Sequence, residues 1–301
     1  MSEVFQIIDG TKEFHGVKAI TNVNFSLFRG EIHSLLGENG AGKSTMTKVA
    51  AGVYQLSSGS FVFEGKETTF LSPSEALNNG VVMVFQENSL VPNMTVSQNI
   101  YLGAENFFNS LAKLNIKASR FLQSLNFNVD PNLLVSQLGA AQKQMVEIAR
   151  AVHHNAKVII FDEPTATLTP EEKHHFFGLM QRLKKEGVSI VFISHALEEA
   201  LEHSDRITVL RDGELIETDK AKNFNRERIV KAMIGRDLTD SAYASKKNAP
   251  KKPRKRGKKT LEVENLSMGS MVKNSTFSAY SGQITGVFGL VGSGRTEMMK
   301  V

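Results

Sequence analysis

Residues Gly37-Glu38-Asn39-Gly40-Ala41-Gly42-Lys43-Ser44-Thr45 limit what this chain can fold into more than any other stretch. They follow the apolar run Ile32 to Leu36, lead into a helix-compatible segment, Met46 to Ala51, and satisfy G-x-x-x-x-G-K-[ST] at every fixed position. A strand, a glycine loop and a helix N-terminus in that order make a phosphate cradle. Glycines let backbone N–H groups curl around phosphate oxygens, and the helix dipole adds positive potential. In such a loop the Lys43 ammonium reaches β- and γ-phosphates and the Ser44 hydroxyl ligates Mg²⁺. The motif specifies phosphate without specifying purpose, so the remaining residues must decide the function.

Composition narrows the choices. With 301 residues and 41% hydrophobic content, the chain can bury one large domain and part of another without covalent staples. There is no cysteine, which excludes disulfides, thiolate metal sites and cysteine nucleophiles and fits a reducing compartment. No run of about 18 apolar residues is present, and Met1-Ser2-Glu3-Val4 lacks a signal-peptide pattern, so a soluble chain, or one held at a membrane by a partner, is expected. The net charge of +5 is local: Lys246 to Lys259 carries nine basic side chains and no acidic one, which leaves the remainder net negative.

Taken in order, Val4 to Ile8, Val23 to Phe28 and Ile32 to Leu36 read as strands, with Gly30 as a turn. Phe14, in a polar setting, is either a core aromatic or a face on which adenine stacks. Gly59 to Gly65 is a strand between turns, Ser72-Pro73-Ser74-Glu75 starts a helix, and Val81 to Phe85 is a buried strand ending at Gln86. Helical patterns come next at Val96 to Leu102, Ser110 to Leu125 and Ala140 to His153. The chain then returns to strand with Val158-Ile159-Ile160-Phe161, a continuous apolar run suited to a strand covered on both faces, ended by Asp162-Glu163. Thr169-Pro170-Glu171-Glu172 caps a helix running to about Glu186, Val188 to Ile193 is another buried strand closed by Ser194-His195, and Asp212-Gly213 centres a hairpin before a helix at Arg226 to Ile234.

Asp240 to Thr260 reads as a linker, and the residues after it repeat the beginning of the chain. Leu261 to Leu266 resembles Val4 to Ile8, and Gly289-Leu290-Val291-Gly292-Ser293-Gly294-Arg295-Thr296 stands where Gly37 to Ser44 stood. The expectation is a first cassette at 1–239 with a helical insertion at about 88–153, a basic linker at 240–260, and the truncated start of a second cassette at 261–301. The fold class is α/β: a P-loop NTPase core with an antiparallel β subdomain and an inserted α-helical subdomain.

Strands that end at Gly37, Gln86, Asp162-Glu163 and His195 bring these residues to one edge of a parallel sheet, where open α/β sheets bind ligands. At these residues, and at Gln144 to Arg150, the chain resembles the ATP-binding cassette (ABC) transporter ATPases, in particular the tandem-cassette ATPase of bacterial monosaccharide importers. The resemblance implies ATP and Mg²⁺ as cofactors, with Phe14 against adenine and Gly37, Glu38, Asn39, Gly40, Ala41, Gly42, Lys43, Ser44 and Thr45 around the phosphates. It further implies that Ser44, Gln86 and Asp162 serve the metal, that Glu163 polarises the attacking water, that His195 touches the γ-phosphate, and that Gln86 senses metal and substrate. Positioning and charge neutralisation are what phosphoryl transfer requires. The implied partners are a two-copy membrane permease, a periplasmic sugar-binding protein and a second cassette, with the chain peripheral on the cytoplasmic face of the inner membrane.

One motif departs from the family. Its signature loop reads Leu-Ser-Gly-Gly-Gln, and here stands Leu138-Gly139-Ala140-Ala141-Gln142, which lacks the serine hydroxyl and adds a methyl at Ala141. Because paired cassettes place each ATP between one P-loop and the opposite signature loop, this loop would face the second P-loop, the one carrying Arg295. One competent and one degenerate site are expected. Two alternatives stand beside this reading: a soluble tandem ATPase acting on ribosome or nucleic acid, and an inactive truncated product. The short Pro-broken basic linker, with no interleaved aromatics, argues against nucleic acid. The transported sugar is not readable from these residues.

Overall fold

The structure is a computed structural model that describes residues 2–85, 89–103, 111–154, 156–235, 257–269, 272–288 and 293–300. Two compact units are present, Met1–Ser241 and Ala242–Val301. Most of the basic segment 246–259, and residues 289–292 of the second glycine loop, lie outside the described residues.

In the first unit, β1 (Glu3–Phe14), β2 (Val17–Phe28), β4 (Ser58–Phe63) and β5 (Lys66–Thr68) form an antiparallel sheet in the order β2-β1-β4-β5. The second sheet runs β10-β9-β3-β8-β7-β6, from β3 (Ile32–Leu36), β6 (Val81–Val84), β7 (Val158–Asp162), β8 (Ser189–Ile193), β9 (Arg206–Arg211) and β10 (Glu214–Lys220). All its neighbours are parallel except the β9–β10 hairpin, in which Asp212 and Gly213 both take positive φ. Every residue of β3, β6, β7 and β8 is buried, as the apolar runs of β6 to β8 require of strands covered on both faces, and His33 and Ser34 of β3 are buried with them.

Among the described residues, the α-helices of this unit are α1 (Lys43–Ala50), α2 (Pro73–Asn78), α3 (Val96–Tyr101), α4 (Leu111–Ser124), α5 (Ala140–His153), α6 (Pro170–Lys185), α7 (Leu197–His203) and α8 (Arg226–Ile234). Side chains alternate along β7. Ile159 and Phe161 enter a core shared with α3 to α6, whereas Val158 and Ile160 enter one shared with the antiparallel sheet. Phe161, Phe176 and Phe192 are fully buried in the first core, each contributing about 1.5–3 kcal/mol. The parallel strands are thereby clamped between two apolar layers, and their C-terminal ends hold a fixed geometry.

Strand β1 outruns the sequence expectation, which ended it at Ile8. The chain stays in the sheet beyond Ile8: it bulges at Asp9-Gly10, with register shifts between Ile7 and Gly10, and the ladder resumes. The bulge is satisfied by side chains: Asp9 N–H donates to Asn24 Oδ1 at 3.0 Å, and Asn24 Nδ2 donates to Asp9 Oδ1 at 2.9 Å. Strand β5 and helix α7 had no counterpart in the sequence reading. The first is only three residues long, and the second starts after Ala196, an N-cap residue with no side-chain cap to offer.

In the second unit, β11 (Lys259–Met268) pairs antiparallel with β12 (Val272–Tyr280), and a helical turn, α9 (Arg295–Met298), comes after them. Its local chemistry echoes β1–β2. Asn265 N–H donates to Thr276 Oγ1 and Asn274 N–H to Ser267 Oγ, as Asp9 donates to Asn24 and Asn22 to Thr11 Oγ1. The donors Asp9, Asn22, Asn265 and Asn274 all have φ between 48° and 53°. Gly294 caps α9 at φ 78° as Gly42 caps α1 at φ 98°.

Candidate functional site

The C-terminal ends of β3, β7 and β8 open onto a cavity of about 520 Å³ lined by Asn39 to Thr45, Glu163 and His195. The glycines of the loop are required by contact as well as by conformation. A Cβ on Gly42 would lie 2.7 Å from both the Ala19 carbonyl oxygen and Ile20 Cγ2, and one on Gly37 would lie 2.4 Å from the Leu210 carbonyl oxygen. Strands β2 and β9 therefore press the loop into shape, and only glycine fits beneath them.

Lys43, 6% exposed, turns its ammonium back onto its own loop, donating to the carbonyls of Gly37 at 2.9 Å and Glu38 at 3.0 Å. Burial pushes its pKa down, against the pull of the Glu163 and Asp162 carboxylates. Asp162 is buried at the end of β7 and its Oδ1 has no hydrogen-bond partner. Burial pushes its carboxyl pKa up, and a hydrogen bond from the Ser44 side chain opposes that rise. An orphaned buried carboxylate oxygen next to a hydroxyl matches the oxygen-donor chemistry of Mg²⁺.

Glu163 stands in the left-handed region at φ 53°, a conformation that costs a non-glycine residue about 1–3 kcal/mol and recurs at functional sites. Its N–H donates to the Ile193 carbonyl at 3.1 Å, tying the end of β7 to the end of β8. The carboxylate Oε1 lies 2.6 Å from His195 Nε2, with the two side chains 18% and 46% exposed. A carboxylate held by an imidazole at the mouth of a phosphate loop is equipped to orient a water.

The remaining sequence-predicted residues are placed differently. Phe14 does not line the cavity. Its half-buried ring stands edge-on to Tyr54 at 4.9 Å, with Lys12 Nζ 5.0 Å from its centroid. Gln86 lies outside the described residues. Leu138 to Gln142 lie away from the cavity lining; Gly139 caps α5, the Gln142 Oε1 accepts from its N–H at 3.2 Å, and the Ala141 methyl packs against the α3–α6 core. One constellation had no signal in the sequence: Glu199, on α7, bonds Thr165, Ser194 and Lys173, residues spread over 34 positions.

Residues 20–166 match the ABC transporter family model. These residues form an ABC transporter domain. Among relatives of this family, the galactose/methyl galactoside import ATP-binding protein of Clostridium perfringens strain 13 is 42% identical over 99% of this chain and 58% of its own length. The xylose import ATP-binding protein of Thermoanaerobacter pseudethanolicus is 40% identical over 99% of this chain and 60% of its own. The chain thus spans about three fifths of the length of these curated relatives. A nucleotide-free ATP-binding cassette from an ABC transporter superposes with a TM-score of 0.68 at 28% identity, covering 78% of this chain and 100% of that one. A dimeric bacterial ABC transporter cassette does so at 0.66 and 27%, covering 73% and 100%. The parallel core, antiparallel subdomain and helical insertion of this chain are therefore those of an ABC ATPase.

The altered signature loop yields a test within this fold. A Cβ on Gly139 would meet nothing within 4 Å, and a serine there would place its oxygen to cap the Gln142 N–H while Gln142 caps back. Gly139→Ser is expected to stabilise α5 by a few tenths of a kcal/mol, raising Tm by about 1 °C in a thermal melt. A lowered Tm would show that the loop cannot accept the family's serine.

Proposed function

We propose that the chain binds Mg-ATP in the cavity around Lys43 and hydrolyses it, as the energy-coupling ATPase part of a bacterial monosaccharide importer. The reading rests on one juxtaposition: Lys43, Ser44 and Asp162 converge at the base of a glycine loop whose mouth is closed by the Glu163–His195 pair. On ATP binding, Lys43 exchanges the Gly37 and Glu38 carbonyls for phosphate oxygens, and the N-terminus of α1 presents its N–H groups to the same anion. Ser44 and Asp162 would hold Mg²⁺, which when bound offsets phosphate charge. Glu163 accepts a hydrogen bond from the attacking water, and His195 fixes the direction of that carboxylate.

The import role is taken from the names of the relatives, which are import ATP-binding proteins for galactose, methyl galactoside and xylose. It entails a membrane permease, a sugar-binding protein outside the membrane and a second cassette as partners, with the chain peripheral on the cytoplasmic face. Among the described residues no helix is long and apolar enough to cross a membrane, as a peripheral subunit requires.

Isothermal titration with Mg-ATP tests the central claim. One nucleotide is expected to bind per chain, and Lys43→Ala to weaken binding about 100-fold, the loss of a hydrogen-bonded charge contact. Equal affinity in the variant would remove Lys43 from the site. The import role is checked separately, by whether a co-expressed sugar permease retains the chain on membranes.

A further inference from the structure

Glu199 projects from α7 into the space between the loops that come after β7 and β8. Its Oε2 accepts from Thr165 Oγ1 and from Ser194 Oγ, each at 2.8 Å, and its Oε1 takes the Lys173 ammonium at 2.8 Å. The Glu199 side chain is 12% exposed, and Thr165 and Ser194 are buried. Thr165 is two residues past Glu163, and Ser194 directly precedes His195. While its O–H donates to Glu199, the Ser194 hydroxyl oxygen accepts the Ala196 N–H at 3.0 Å and closes a turn around His195. One carboxylate therefore fixes both chain segments that carry the Glu163–His195 pair, although neither Glu199 nor Lys173 lines the cavity.

The chemistry of the contact calls for a charged carboxylate. Three donors converge on it, and only an acceptor-only group can satisfy them all; a carboxamide would turn its NH₂ toward a hydroxyl or toward Lys173. Lys173 supplies the counter-charge that lets the group be buried while ionised. Burial works against ionisation, and the hydrogen bonds from Lys173, Ser194 and Thr165 outweigh it, holding the carboxyl below its ordinary range.

We infer that Glu199 is a positioning residue for ATP hydrolysis, locking the Thr165 and Ser194 loops together so that the Glu163 carboxylate and the His195 imidazole meet in front of the phosphate loop. This inference rests on the ATPase reading of the same site, and its test separates the two. The His195 imidazole ¹⁵N resonances of the full chain are compared in the wild type, Glu199→Ala, Thr165→Val and Ser194→Ala. All three variants are expected to move them in the direction produced by Glu163→Gln. The two hydroxyl deletions each remove one bond and keep the test open where Glu199→Ala does not fold.

Phosphate release in a single turnover at saturating Mg-ATP gives the second readout. Glu199→Ala is expected to slow it about 10- to 100-fold, the penalty for a displaced catalytic group, with Mg-ATP affinity unchanged within about three-fold. In a His195→Ala background the same change is expected to cost clearly less than in the wild type, because one half of the pair it aligns is already gone. His195 resonances unmoved in the folded variants, or effects of Glu199→Ala and His195→Ala that multiply, would overturn the inference. A wild-type chain that fails to bind Mg-ATP would strike instead at the ATPase reading, and the His195 resonances would still decide whether Glu199 sets the geometry.

Discussion

Replacing Glu163 by Gln is expected to lower single-turnover phosphate release by about 10²–10⁴-fold, the usual contribution of a group that accepts a proton or hydrogen bond in the transition state. Affinity for Mg-ATP should stay within about three-fold, because the amide keeps the size of the side chain and the phosphate-holding residues are untouched. Glu163 reaches the cavity only because its backbone takes φ 53° and is pinned by its N–H to the Ile193 carbonyl. The substitution preserves both features and removes only charge. The measurement is a quench-flow assay beside isothermal titration. A parallel loss of binding and turnover would mean that Glu163 holds the nucleotide in the ground state instead.

Gly42→Ala is expected to lower stability strongly. Gly42 combines φ 98° with a Cβ position 2.7 Å from the Ala19 carbonyl oxygen and Ile20 Cγ2. An alanine there must either shift the N-terminus of α1 or push β2 aside. Strain of about 2–3 kcal/mol is expected, seen as a Tm drop of about 5–10 °C, together with loss of Mg-ATP binding as the helix N-terminus moves. Gly40→Ala serves as the control. Gly40 also has positive φ, at 84°, but nothing lies within 4 Å of its Cβ position, so only the conformational cost of about 1 kcal/mol applies. Equal effects of the two substitutions would show that the contact with β2 is relieved easily.

Elements whose signals are local were readable from residues alone. Helix α6 begins where Thr169, Pro170 and Glu172 place it, since the reciprocal bonds of its capping box link residues three apart. The strands β7 and β8 declare themselves because burial on both faces demands unbroken apolar runs. The run of β1 past Ile8 was not legible, because the bulge at Asp9-Gly10 is held by a cross-strand partner, Asn24, that is 15 positions away. The spatial pairing of Glu163 with His195 spans 32 positions, and the Glu199 cluster spans 34. Such contacts depend on the β7–β8 register, in which Asp162 lies beside Ile193. Phe14 illustrates the converse: an aromatic in a polar segment carries no mark of which neighbour it meets, and the neighbour here is Tyr54.

On the proposed reading, the inward turn of Lys43 makes nucleotide capture a displacement reaction. Two backbone carbonyls already occupy the ammonium, so a phosphate enters as a competitor for a cation that is spoken for, and affinity measures the difference between two sets of oxygen ligands. The lysine rotamers, whose ordering costs up to about 2 kcal/mol, are restrained before any ligand arrives. A weakly charged ligand gains little from the exchange, whereas a polyphosphate displaces the carbonyls with full negative charge. A loop that binds in this way would filter its ligands by charge density, using its own peptide groups as the standard of comparison.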